Sequence, residues 1–89
     1  MFLHLGKNVV VCKSDIVAIL DIKSTLSSKV SREFLEMCEE EGFADKVIND
    51  KLRSLVIVGT VKNRTVYKIK IYYSPISALT LQKRANFME

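Results

Sequence analysis

The fold of this chain is decided by the stretch LVIVGTVKNRTVYKIKIYY, residues 55–73. Two runs rich in β-branched and aromatic residues, 55–61 and 65–73, flank the polar residues KNR, which have the length of a short hairpin loop. In the second run the strand period of two separates an apolar face from a basic face. The apolar face holds Tyr67, Ile69, Ile71 and Tyr73, and the other face holds Arg64, Val66, Lys68, Lys70 and Tyr72. The stretch therefore predicts an antiparallel hairpin with one core face and one basic face.

The residues before this hairpin predict further strands. FLHL (2–5) and VVVC (9–12) are β-prone, and the GKN between them can supply the positive φ of a tight turn. IVAILD (16–21) is almost continuously apolar, which is typical of a strand with both faces covered. We therefore expect a second hairpin, followed by a buried strand.

An amphipathic helix is predicted over residues 28–41, where apolar side chains recur at helical spacing. Those side chains are Val30, Phe34, Met37 and Cys38. A serine at 27 or 28 can serve as N-cap, and Gly42 can take the left-handed conformation of a Schellman stop. A shorter helix is expected to open at Ser74 and Pro75, since serine caps free amides and proline suits the first helical position.

Length and composition predict a single domain covering residues 1–89. With 48% hydrophobic and 27% charged residues, the chain has the composition of an ordinary globular protein. A domain this small buries little more than ~60% of the surface of its unfolded chain, so self-association would add stability. The order of elements predicts an α+β fold, a small antiparallel β-sheet domain with one middle helix and a short C-terminal helix.

The charges are strongly segregated along the chain. Residues 51–88 hold eight basic residues and no acid, whereas residues 1–50 hold six basic and nine acidic residues. The net charge of the whole chain is +4. A small domain with a basic and an acidic side can bind a polyanion, or its own copies head to tail, or both.

The sequence lacks catalytic and metal-binding signatures. It has no phosphate-cradling glycine loop, and with His4 as its one histidine it offers Cys12 and Cys38 no zinc ligand set. We expect a non-enzymatic protein without cofactor, metal or small-molecule substrate. No apolar run reaches the ~20 residues of a membrane helix and no secretory leader is evident, so we expect a cytoplasmic protein without membrane association.

Phosphate binding is the function that the basic residues favour, because clustered lysines and arginines neutralise phosphates and release counterions. The candidate nucleic-acid contacts are Lys51, Arg53, Arg64, Lys13, Lys68 and Lys70. Lys51 and Arg53 precede an apolar strand, in the kind of connector that often carries binding groups. Alternating lysines such as Lys68 and Lys70 can equally serve only to discourage pairing between sheet edges.

Three consecutive glutamates, Glu39, Glu40 and Glu41, end the predicted middle helix. Negative charge at that end opposes the helix dipole, at a cost of ~0.3 to 1 kcal/mol for each residue. The glutamates can form a solvated acidic patch. Alternatively, they belong to an oligomer interface in which the basic surface of a neighbouring copy meets them in a head-to-tail contact that can close into a ring.

Five segments spread along the chain are distinctive in combination. They are HLG (4–6), VVV (9–11), DIVAILD (15–21), YYSPIS (72–77) and TLQKRA (80–85). Together they resemble the RemA/RemB family of bacterial extracellular matrix regulatory proteins. The resemblance covers nearly the whole chain and is weakest in the middle.

This resemblance implies a DNA-binding regulator of biofilm matrix genes that assembles into rings and presents basic side chains to the DNA backbone. Residues 50–53, DKLR, are similar to an arginine-rich turn of the RemA branch, and Lys51 and Arg53 are the matching bases. Leu52 and Asp15 stand at positions that are basic in that branch, and Lys13 lies nearby but out of register.

Two functions are therefore predicted. The first is a DNA-binding regulatory protein that contacts mainly the phosphate backbone, through a basic surface on a ring-like homo-oligomer. The alternative is a structural assembly or adaptor module that binds a protein partner without binding DNA, in which case the basic residues are used between subunits.

Overall fold

The computed structural model describes residues 1–86, with the exception of the side chains of Val61, Val66 and Tyr67. Over this range the elements are β1 (Phe2–Gly6), β2 (Val9–Cys12), a 3₁₀ helix (Lys13–Asp15), β3 (Ile16–Asp21), α1 (Ile22–Leu26), α2 (Lys29–Glu40), β4 (Ala44–Lys46), β5 (Ser54–Lys62), β6 (Thr65–Ser74) and α3 (Ala78–Arg84). The predicted α+β class and both predicted hairpins are confirmed.

A four-stranded sheet in the order β3-β5-β6-β4 forms the centre of the fold, and β1 and β2 form a separate hairpin. β5 pairs antiparallel with β3 and β6, whereas β4 pairs parallel to β6. The sequence does not predict β4, because ADK carries no strand signal. This strand forms because the chain leaving α2 returns to β6, where the Ile71 amide donates to the Phe43 carbonyl at 2.7 Å.

Two hydrophobic clusters lie on opposite faces of the central sheet, because Leu55 and Val56, successive residues of β5, belong to different clusters. The first cluster joins the β1–β2 hairpin and α3 to the sheet, and its buried members are Leu3, Leu5, Val11, Ile19, Val47, Val56, Ala78, Leu81 and Ala85. The second joins α2 to the sheet, and its buried members are Leu35, Cys38, Leu55, Ile71 and Tyr73.

The prediction of a core face and a basic face holds for only part of β6. Ile71 and Tyr73 are buried in the second cluster, as predicted. Ile69, predicted for the same core face, is 39% exposed, and the side chain of Tyr67 lies outside the described residues. Tyr72, however, packs against the first cluster on the same face as Lys70. The C-terminal end of β6 is therefore covered on both faces. The basic face is exposed only nearer the N-terminal end of β6, around Lys68.

The prediction that residues 16–21 are covered on both faces is wrong. β3 is an edge strand, in which Val17 and Leu20 are 56% and 37% exposed while Ile19 is buried. A continuous apolar run reports hydrophobicity and not the position of the neighbouring strands, so it does not reveal an edge.

The β5–β6 loop is shorter than predicted, with two residues, Asn63 and Arg64, in place of three. Both have positive φ, 53° and 65°, as a type I′ turn requires, and Lys62 lies inside β5. β3 pairs with β5 only as far as Val58, and β4 pairs with β6 only over residues 71–73. Residues 59–69 therefore extend beyond the sheet as a two-stranded ribbon, which we call the hairpin extension.

The ends of α2 agree with the sequence analysis. Ser28 is the N-cap, and its hydroxyl accepts the Ser31 amide at 3.4 Å. At the other end Gly42 has a φ of 79°, and the Phe43 amide donates to the Cys38 carbonyl at 2.8 Å, as in the predicted Schellman stop.

The buried face of α2 differs from the prediction. Leu35 and Cys38 are buried, whereas Val30, Phe34 and Met37 are 76%, 40% and 50% exposed. The two sets lie on neighbouring faces of the helix, and the sheet covers only one of them. We call the exposed set, Val30, Phe34 and Met37, the apolar stripe.

α3 begins at Ala78, with Ser77 as its N-cap accepting the Thr80 amide at 3.2 Å. The prediction that this helix opens at Ser74 and Pro75 is wrong. The Ser74 hydroxyl is engaged elsewhere, since it donates to the Leu5 carbonyl at 2.6 Å.

Gly6 closes β1 at a point where the hairpin approaches the rest of the fold closely. Its φ is 125°, and a Cβ there would lie 3.2 Å from side-chain atoms of Pro75 and of Val47. Gly42 has a φ of 79° but has nothing within 4 Å of such a Cβ. Substitution of Gly42 by alanine would therefore introduce backbone strain alone, whereas substitution of Gly6 would introduce backbone strain together with close side-chain contacts.

We expect Gly6→Ala to lower the free energy of unfolding by about 2–4 kcal/mol, because backbone strain and overpacking add. Gly42→Ala, the matched control, should cost about 1–2 kcal/mol from its left-handed backbone alone. Chemical denaturation of both variants measures the difference. Equal losses would contradict the packing role of Gly6.

Candidate nucleic-acid interface

The strongest predicted contacts lie at two separate places in the subunit. Lys51 and Arg53 come directly before β5, and Arg64 lies in the loop after it. β5 has nine residues, and at a rise of ~3.3 Å per residue its two ends are about 25–30 Å apart. The structure therefore does not bring these three residues together within one subunit, because an extended strand separates them.

Residues 51–53, which we call the basic turn, are held in place through the backbone of Arg53. The Arg53 amide donates to the Ser74 carbonyl at 2.8 Å, and the Arg53 carbonyl accepts the Ile22 amide at 3.1 Å. Lys51 has a φ of 54°, and Leu52 is half-buried against the second cluster. Because Leu52 packs inward, the exposed side chains of Lys51 and Arg53 are presented on either side of it.

A buried pair of serines fixes the strand ends next to the basic turn. Ser54 and Ser74 stand opposite each other in the β5–β6 register and are both 0% exposed. The Ser54 hydroxyl donates to the Ile76 carbonyl at 2.7 Å, and the Ser74 hydroxyl donates to the Leu5 carbonyl at 2.6 Å while accepting the Ile76 amide at 3.1 Å. Sequence reasoning treated Ser74 only as a helix cap and missed this role.

Among the other predicted contacts, Arg64 and Lys68 are exposed on the hairpin extension, whereas Lys13 is half-buried in the 3₁₀ helix. Asp15 of the same 3₁₀ helix lines a cavity of about 210 Å³ together with Lys68 and Lys70. The Asp15 carboxylate therefore lies in the neighbourhood of two of the predicted contacts.

Lys70 already has partners inside the subunit. Its ammonium group lies 2.8 Å from the Asp45 carboxylate and 5.1 Å from the centre of the Tyr72 ring. The hydrogen bond to Asp45 raises the pKa of Lys70. Because a phosphate would have to compete with this ion pair, Lys70 is less available than Lys51, Arg53 or Arg64.

The glutamates of the acidic patch are exposed at the end of α2, and one of them has an internal partner. The Tyr73 hydroxyl donates to the Glu39 carboxylate at 2.9 Å. Tyr73 is 8% exposed, and burial, followed by the hydrogen bond to Glu39, raises its pKa. This bond offsets part of the unfavourable interaction of Glu39 with the helix dipole, while Glu40 and Glu41 remain solvent-facing.

The chain has one histidine, His4, and two cysteines, Cys12 and Cys38. His4 Nε2 contacts the Lys7 carbonyl at 2.5 Å within the first hairpin. Cys12 and Cys38 are free thiols, and a hydrogen bond with Ser14 lowers the pKa of Cys12 whereas burial raises that of Cys38.

Residues 1–86 contain no group of three or more His, Cys, Asp or Glu side chains that could hold a metal ion. Over the same residues no helix has the length and apolar character needed to cross a membrane.

Comparison with known proteins identifies the family of this α+β domain. Residues 2–85 match the RemA-like family model, described as extracellular matrix regulatory protein A-like, and the chain belongs to this family. Over 88 residues it is 41% identical to Extracellular matrix regulatory protein B of Bacillus subtilis (strain 168), covering 99% of this chain and 94% of that protein. The resemblance found in the sequence motifs is thus confirmed.

We expect Ser74→Ala to lower the free energy of unfolding by about 1–3 kcal/mol, because it removes one partner of the buried Leu5 carbonyl and of the Ile76 amide. Ser24→Ala, at an exposed serine of α1, should change it by less than about 0.5 kcal/mol. Chemical denaturation compares the two variants. A Ser74 variant as stable as the Ser24 variant would refute the structural role of the serine pair.

Alkaline pH should destabilise the fold through Tyr73. The pKa of Tyr73 is raised in the folded state, so the protonated side chain contributes to the free energy of unfolding. This contribution is complete below the ordinary tyrosine pKa of about 10, and it is lost as the pH rises through the pKa of the folded state. Tyr73→Phe should cost about 1–2 kcal/mol at neutral pH through loss of the hydrogen bond to Glu39, and less above pH 10. Urea denaturation of both proteins from pH 8 to pH 11 measures this, and a constant difference across that range would contradict it.

Proposed function

We propose that this protein is a non-enzymatic DNA-binding regulatory protein of the cytoplasm that contacts mainly the phosphate backbone and acts on biofilm matrix genes. The observation that carries the proposal is the basic turn, in which Lys51 and Arg53 are exposed and the Arg53 backbone is hydrogen-bonded on both sides. No acid occurs in the sequence from residue 51 to residue 88, although the exposed Asp50 directly precedes the turn. The family membership and the name of the Bacillus subtilis relative support a role in matrix regulation.

Backbone contact is favoured over base readout by the kind of element that carries the charges. Lys51 and Arg53 lie on a turn, and Arg64 lies at the tip of a hairpin. Phosphate contacts of this kind position a protein on DNA without reading its sequence, so preference for a site would come from DNA shape or wrapping.

We further propose a ring-like homo-oligomer that repeats the basic turn. Two bases per subunit give a modest attraction, and repetition around a symmetric particle multiplies it through effective concentration. The apolar stripe of α2 supports self-association, because apolar residues exposed side by side commonly mark an interaction surface. Glu39, Glu40 and Glu41 follow this stripe on the same helix and its cap, where they can meet the basic surface of a neighbouring copy.

The alternative function is a structural assembly or adaptor module without DNA binding. The apolar stripe favours it as well, since the stripe can seat another protein. The two functions differ in what the basic turn does, because the alternative uses Lys51 and Arg53 between subunits.

The double variant Lys51→Ala/Arg53→Ala tests the proposal. We expect duplex DNA binding to weaken by roughly tenfold or more, and the slope of log affinity against log salt to become shallower by about 0.9 for each phosphate that is no longer neutralised. Lys29→Ala/Lys46→Ala, which removes two exposed lysines elsewhere, is the charge-matched control and should leave most of the binding intact. Fluorescence anisotropy at two salt concentrations measures both variants.

Light scattering on the same samples separates the two functions. The DNA-binding proposal requires the native mass of the double variant to equal that of the unmodified protein. Loss of the oligomer in the double variant would favour the assembly module, and absence of DNA binding by the unmodified protein at low salt would refute the proposed function.

A further inference from the structure

A cavity of about 310 Å³ opens beside the basic turn. Its lining consists of Asp21, Ile22, Lys23, Leu52 and Arg53. Lys23 is exposed at the start of α1 and lies outside the set of bases that the sequence analysis singled out. The tertiary structure therefore brings a lysine of the acidic half of the chain to the same cavity as Arg53.

The two walls of this cavity are joined by strand pairing. Asp21 at the end of β3 stands opposite Ser54 at the start of β5. The next hydrogen bond along the same edge is that from the Ile22 amide to the Arg53 carbonyl, at 3.1 Å. The backbone positions of Lys23 and Arg53 are consequently fixed relative to each other, although about 30 residues separate them in the sequence.

Asp21, the single acid of the lining, caps the N-terminus of α1. The Asp21 side chain accepts the Ser24 amide at 2.9 Å as the N-cap of α1. One acid against Lys23 and Arg53 leaves the lining with a positive balance, and just outside it Lys51 and the preceding Asp50 carry opposite charges. A single carboxylate with two cations is the wrong ligand set for a metal ion but a suitable one for an anion.

The other cavity rich in lysine provides a useful contrast. Lys68 and Lys70 line it together with Asp15, and Lys70 is already paired with Asp45 at 2.8 Å. Its two cations are therefore matched by two acids of the same subunit. The lining of each cavity holds two bases and one acid, and the two cavities differ in that Asp45, from outside the lining, pairs with Lys70.

We propose that the cavity beside the basic turn is a phosphate-binding site in which Lys23 and Arg53 are the two cationic side chains. Arginine supplies a planar fork that can donate two parallel hydrogen bonds to one phosphate, and lysine supplies a point charge from the opposite wall. The half-buried Ile22 and Leu52 give the cavity an apolar side that suits a sugar ring. Resting on the proposed function, the occupant is one phosphodiester of the DNA backbone, and Lys23 is a further DNA contact.

The variant Lys23→Gln tests this site, with Lys29→Gln as the matched control. Both lysines are exposed near the N-termini of adjacent helices, but Lys29 pairs with Glu33 at 3.9 Å and lies outside the cavity lining. Lys23→Gln should weaken duplex DNA binding roughly fivefold, as expected for loss of an exposed ion pair of ~1 kcal/mol, and should make the salt slope shallower by about 0.9. Lys29→Gln should leave affinity and slope unchanged. Equal behaviour of the two variants overturns the assignment of Lys23.

A titration with inorganic phosphate tests the cavity independently of DNA. In ¹⁵N-labelled protein, saturable amide shifts at Lys23, Leu52 and Arg53 that disappear in the Lys23→Gln variant support the site. Shifts spread evenly over the basic residues, or no shifts, overturn it.

The two experiments also separate this inference from the proposed function. If the unmodified protein fails to bind DNA but phosphate gives saturable shifts at the cavity, the proposed function fails and the phosphate site stands with a smaller phosphate ester as its occupant. If the protein binds DNA and the Lys23 variant binds equally well, the proposed function stands and the cavity assignment fails.

Discussion

The buried pair of Ser54 and Ser74 is the constraint on which the arrangement of this domain depends. Their hydroxyls bind backbone groups of the first hairpin and of the segment leading into α3, so two small side chains connect these two parts of the chain to one end of the central sheet. The Ser74 carbonyl also receives the Arg53 amide. Buried polar groups hold their partners firmly because an unpaired group in the interior is costly, and the basic turn is positioned by that same network.

Internal pairing decides which of the many charges are available to a partner. Asp45 engages Lys70, Tyr73 engages Glu39, and the Ser24 amide engages Asp21. These contacts reduce the segregation of charge that is so marked in the sequence. Of the predicted nucleic-acid contacts, Lys51 and Arg53 are accessible in the basic turn, and Arg64 is accessible at the tip of the hairpin extension, about 25–30 Å away at the other end of β5.

Local patterns in the sequence predicted most of the elements but not their surroundings. The two hairpins, α2 and its Schellman stop follow from β-propensity, helical spacing and one glycine, all of which act over a few residues. β4 escaped prediction because its pairing depends on where α2 ends, and the exposure of β3 escaped because edge position is a property of the whole sheet. Among the candidate site residues, Lys51 and Arg53 were predicted from the sequence, whereas Lys23 was not, because its nearness to Arg53 arises from strand pairing.

The amino-acid sequence by itself determined the fold class, the family and the basic character of the second half of the chain. These properties reside in residue types and their short-range order, which are present before folding. Only the tertiary structure decided which bases share a surface, which are neutralised within the subunit and which face of α2 is left bare. The physical reason is that electrostatic and packing interactions act over a few ångströms in space, and the folded backbone alone determines which distant residues come within that range.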